Sequence, residues 1–266
     1  MAQRWLRVPT RLWGERSGRP MLWGLVKPPR EPSALGIILY SGLLGVLTAS
    51  GTTPLGVAMA LLALGLHILT FDAGFDAAKT RNTRLLAAIL ALNSAPYLVV
   101  LAAYRDTELA AAVAVYVPVM LLYLYLALRG LLRTPPSYIA GAALLTYTAV
   151  LTAALAGRIT RETILAFTLM MLYTASTAAY IESRLPFRRT SPATGLAIWL
   201  PALAAAATNP ALAVALAEPT IKHVANTAKN TKIKPTEIKK LGWQEMIRLT
   251  VFATLLAALL RLTASS

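Results

Sequence analysis

Nine apolar runs, most close to 20 residues long, recur through this 266-residue chain with short polar turns between them. About 20 helical residues cross the roughly 30 Å hydrocarbon core of a bilayer. The chain is 57% hydrophobic and 14% charged, against about 45–50% and about 25% in soluble domains. A soluble globule has nowhere to hide that much apolar surface. With lipid as the solvent, backbone polar groups must be satisfied within each span, which dictates helices. The expected fold is therefore an all-α integral membrane protein of about nine transmembrane helices, over 34–50, 55–77, 85–104, 108–128, 137–156, 162–181, 193–208, 211–224 and 243–262. Segments 193–208 and 211–224 also fit one re-entrant hairpin. Domain organisation follows: a basic N-terminal segment 1–33, a helical domain 34–262 and a tail 263–266.

Charge orients the bundle. When loops alternate between faces, all but four of the 26 Lys and Arg fall at one end; the exceptions are Arg105, Arg158, Arg161 and Arg261. Cations in short loops favour the cytoplasmic side, so the N-terminus is expected there, with cytoplasmic loops at about 78–84, 129–136, 182–192 and 225–242. Segment 1–33 interleaves Trp5, Trp13 and Trp23 with seven Lys and Arg and lacks the apolar core of a signal peptide. Indoles at headgroup depth and cations toward phosphate suit an interfacial segment. The net charge of +15 reads as attraction to anionic lipids of the cytoplasmic leaflet rather than to nucleic acid. The chain has no cysteine, which excludes thiolate chemistry.

The scarce acids are the chemical signal. Asp72 and Asp76 lie four apart at the inner end of the second span and share a helix face. Like charges so placed call for a cation, which could be Mg²⁺, Lys79 or an Arg from a neighbouring helix. Lys79, Arg81 and Arg84 follow. Glu182 ends the sixth span before Arg184, Arg188 and Arg189, and arginine forks suit phosphate. These residues are candidate substrate-binding groups, and Asp72 and Asp76 candidate Mg²⁺ ligands. Glu218, beside Pro219, is a candidate cavity acid, with Arg248 a partner for it or for Glu245. Tyr173, Ser176, Thr177 and Tyr180 could line a polar cavity, as could Asn93 and Pro96. His67 is expected to be a hydrogen-bonded core residue; with His223 the only other histidine, no haem is expected. Without a Walker loop or Rossmann fingerprint, no nucleotide is expected either.

Two stretches, Tyr180-Ile181-Glu182-Ser183-Arg184 and Lys239-Lys240-Leu241-Gly242-Trp243-Gln244-Glu245-Met246, resemble the YwiC-like family of membrane proteins. Where that family carries His-Gly-Ala-Trp, this chain has Glu31-Pro32-Ser33-Ala34-Leu35-Gly36. More distantly, nine helices with acids after the second and sixth are similar to UbiA-type intramembrane prenyltransferases. That resemblance implies a UbiA-like bundle, with Asp72 and Asp76 in a first acidic motif and Glu182 in a second, holding Mg²⁺ and an isoprenoid diphosphate. Thr80 stands where the first motif has a third acid, and only Glu182 remains of the second.

Two functions follow as expectations. One is a cytoplasm-facing cavity for a phosphate-bearing amphiphile, with degenerate prenyl transfer as the activity the resemblance implies. The other is a non-enzymatic transporter, or an assembly or anchor subunit docking an acidic partner or anionic lipid.

Overall fold

The computed structural model describes residues 25–264 apart from Glu31, Arg81 and Leu132. Among the described residues the chain is helical with no strand. In order, the helices are α1 (Pro32–Thr48), α2 (Pro54–Lys79), α3 (Thr83–Tyr104), α4 (Thr107–Leu128), α5 (Pro135–Thr146), α6 (Thr148–Ala156), α7 (Arg161–Arg184), α8 (Pro192–Trp199), α9 (Ala204–Thr208), α10 (Ala213–Lys229) and α11 (Ile238–Ala264). A bend at Tyr147 joins α5 and α6 into one rod, and a 3₁₀ turn over Leu200–Leu203 joins α8 and α9. These nine rods take the places of the nine apolar runs. Five are long and apolar enough to cross a membrane: those in α2, α3, α4, α5–α6 and α7. The α1 and α8–α9 rods are apolar but shorter.

Residues 193–224 form two successive helical rods, as the sequence reading divides them. The lysine-rich stretch 225–242, expected as a loop, is largely helix: α10 runs to Lys229 and α11 begins at Ile238. Its polar residues extend the inward polar face of α10, where Lys222 and Asn226 sit four apart and buried. The helix stops at Asn230, whose left-handed backbone (φ 41°) accommodates the C-terminal turn.

Helix α1 is central, packing on α2, α5, α6, α7 and α11. Its approach to α6 depends on small residues: a side chain at Gly45 would run into the Ala149 carbonyl, and Thr152 donates to the Gly42 carbonyl at 2.8 Å. Small residues allow such backbone contact where lipid gives no hydrophobic drive to associate. On one flank, α2, α3, α4 and α6 share an apolar core around Ala60, Tyr97, Leu109 and Leu151. On the other, α7, α8, α10 and α11 bury Tyr173, Trp199, Leu216 and Phe252.

Backbone bonds fix the direction of the rods. Ser50 and Arg158 exchange N–H···O bonds of 3.2 and 2.8 Å, and Glu108 accepts from the Ile159 N–H at 3.1 Å. The turns α1–α2, α4 start and α6–α7 therefore share one end. Helices α2 and α7, of 26 and 24 residues, leave that end together and run about 36–39 Å to the other. There the chain between α10 and α11 is tied to the end of α7, with the Ile233 N–H donating to the Arg184 carbonyl at 3.0 Å. Asp72, Asp76 and Glu182 thus stand at one end of the bundle, the end rich in Lys and Arg.

Candidate functional site

The acids of α2 meet cations of their own. Segment 25–30 lies along the end of α2, with the Lys27 N–H donating to the Leu69 carbonyl (2.6 Å) and the Asp72 N–H to the Lys27 carbonyl (2.9 Å). This places Lys27 Nζ 2.7 Å from Asp76 and the Arg30 guanidinium 3.3 and 3.2 Å from Asp72 and Asp76. These cations come from the N-terminal segment, a source the sequence reading did not name. On α7, Glu182 pairs with Arg188 at 2.9 Å. Both α2 and α7 pack against α1, and each carries its own charge-neutralised acids. Among the described residues no three His, Asp or Glu come together. Among the described residues these carboxylates are engaged by cations of the chain itself.

Among the other sequence candidates, Arg184 donates to the Tyr180 hydroxyl at 3.2 Å, while Arg84 and Arg189 are exposed. Arg81, the Lys79 side chain and the Trp-rich segment 1–24 lie outside the described residues. His67 is a core histidine with Nδ1 2.7 Å from the Ala63 carbonyl and its ring edge-on to Tyr97. Asn93 donates to Thr70 at 2.8 Å, within the α2–α3 contact.

The most elaborate polar site lies between α7, α10 and α11. Glu245, at 2% side-chain exposure, accepts from Lys222 Nζ at 3.0 Å and from the Arg248 guanidinium. Arg248 also pairs with Glu218 at 3.0 Å, so it joins both acids that the sequence offered it. Lys222 donates to Thr177 at 2.9 Å, and its ammonium sits 4.8 and 5.2 Å from the Tyr173 and Tyr180 ring centres. Next to it, His223 Nε2 and Ser176 Oγ are 3.0 Å apart, and Asn226 donates to Ser183 at 3.1 Å. Gly195 of α8 closes over this pair; a side chain there would press on His223 and the Ser176 carbonyl. Thr177, Lys222 and Glu245 each lie seven residues, about 10 Å, from the basic-end tips of their helices. Trp199, Phe252 and Leu256 belong to the apolar core packed beside them. Lys222 was the residue missed: the sequence reading grouped it with the loop lysines. The available signal was its place four residues after Glu218, on one helix face.

An apolar groove of about 410 Å³ lies between α5, α7 and α8, walled by Pro135, Ile139, Met171, Ala175, Thr194 and Ile198. Beside it Tyr138 donates to the Arg133 carbonyl at 3.1 Å and also meets Thr190; the lining residues Pro135 and Thr194 lie two and five residues along the chain from the exposed Arg133 and Arg189.

Comparison with protein-family models, curated proteins and solved structures finds no match to this chain.

Proposed function

We propose that the chain is a multi-pass membrane protein with its N-terminus on the cytoplasmic side, and that it binds a phosphate-bearing amphiphile at its basic end. Five membrane-length apolar helices and the one-sided distribution of Lys and Arg support the topology. The observation that carries the binding reading is the apolar groove whose lining residues Pro135 and Thr194 lie close along the chain to exposed arginines. Its apolar walls suit a hydrocarbon tail, and its volume lies within the roughly 300–1,000 Å³ of ligand pockets. Arg133 and Arg189, both exposed, offer forked donors to a phosphate head. Arg188 is engaged by Glu182, so the exposed arginines supply recognition in this reading, and no step depends on a metal. Binding without turnover, as in a carrier or anchor subunit, is the simplest activity such a site provides.

Thermal unfolding in neutral detergent tests this, with farnesyl diphosphate and phosphatidylglycerol as probes and phosphatidylcholine as control. The two anionic amphiphiles should raise the midpoint. Arg189→Gln and Ile139→Trp, which remove the head contact and fill the groove, should each remove most of that rise. Equal protection by phosphatidylcholine, or full protection of both variants, would sink the reading.

A further inference from the structure

The charge chain Glu218–Arg248–Glu245–Lys222 runs from the bundle surface inward. Side-chain exposure falls along it from 50% at Glu218 and 35% at Arg248 to 2% at Glu245 and Lys222. The surface around its outer end is apolar: Val214 and Ile221 of α10 and Ile247 and Val251 of α11 are all half or more exposed. Glu218 and Arg248 lie ten or more residues from the basic-end tips of their helices, about 15 Å in. With α10 and α11 in the bilayer, this half-exposed ion pair faces acyl chains, where charge is costly. Glu245 is enclosed between two cations, so without Glu218 the cluster carries one net positive charge. Glu218 therefore occupies the place of an anion on the open side of Arg248. Its helical turn is loosened by Pro219, which has no N–H to close the turn below it.

We propose that this is a second, lateral lipid site: a phosphate-headed lipid enters between α10 and α11 from the bilayer, displaces Glu218 and binds the Arg248 guanidinium, while Glu245, itself held by Lys222, keeps that guanidinium in place. This inference rests on the membrane reading above but not on the groove, which lies against α5 and α8. A planar guanidinium already anchored on one edge is preorganised to grip phosphate with the other.

The test is phosphatidic acid binding to purified protein in neutral detergent, with inorganic phosphate as a second ligand. Glu218→Gln, which frees Arg248, should tighten phosphatidic acid binding about tenfold. Glu237→Gln, an equal loss of negative charge at an exposed position of the basic end, should change it little. Arg248→Gln should abolish binding, and Ile221→Trp should weaken it by obstructing the entry without altering any charge, and so reports even if Arg248→Gln fails to fold. Inorganic phosphate should not compete at concentrations where the lipid saturates. Equal tightening by Glu218→Gln and Glu237→Gln, no change in Glu218→Gln, or full competition by inorganic phosphate would each overturn the proposal. The groove variants Arg189→Gln and Ile139→Trp should leave the Glu218→Gln effect intact, which separates failure here from failure of the groove.

Discussion

Lys222 and Glu245 show what single residues contribute here. Removing two charges from water is costly, and their attraction offsets that cost only when the remaining donors and acceptors are also satisfied. Thr177, the two tyrosine faces and Arg248 satisfy them. Removing one partner leaves the other buried and incompletely paired. Lys222→Met is therefore expected to cost about 3–5 kcal/mol, read as a lower denaturant midpoint in detergent. Adding Glu245→Gln to it should recover part of the loss; a double variant no more stable than the single one would count against a coupled pair. The exposed contact of Lys27 with Asp76 differs. At 46% and 35% exposure it is worth about 1 kcal/mol or less, so Lys27→Gln should barely move the same midpoint.

Helices fit together here through small residues, and two glycines predict opposite outcomes. Gly45 faces the α6 backbone, whereas nothing lies within 4 Å of a side chain added at Gly65. Gly45→Ala must push α1 away from α6 and should cost about 1–3 kcal/mol. Gly65→Ala only removes backbone freedom in the middle of α2 and should gain roughly 0.5–1 kcal/mol. A thermal melt of the two proteins in one detergent decides it; equal shifts would mean that the α1–α6 contact is not tight. At this scale the apolar runs were legible, because each needs about a membrane's thickness of helix. The bends at Tyr147 and Leu200–Leu203 were not. Nor was the helical start of α11, because lysines in an amphipathic helix resemble lysines in a loop when only hydropathy is considered.

The whole molecule places its turns in two layers. Thr52 and the Ser50–Arg158 bridge lie at one end, and Arg189 and Lys240 at the other. Because the chain has no cysteine, single cysteines report without background. Thr52→Cys should react with an impermeant maleimide only from outside intact cells, and Arg189→Cys and Lys240→Cys only after the membrane is opened. Labelling of Thr52 and Arg189 from one side would break the topology.

Residue order alone determined that the chain is a succession of apolar helices, five of them long enough to cross a membrane, and which ends carry its cations, since both are local properties of hydropathy and charge along one axis. It also brought Arg248 to Glu218 and Glu245 as a possible partner for either, and Tyr173, Ser176, Thr177 and Tyr180 to one polar face. Only the tertiary structure decided that Lys27 and Arg30 take Asp72 and Asp76, that Arg248 serves both glutamates at once, and that Lys222 is buried. The physical reason is that ion pairing depends on the rotation and separation of helices 20 to 50 residues apart in the chain. Periodicity fixes a side chain's direction about its own helix axis, but not which neighbour that direction meets.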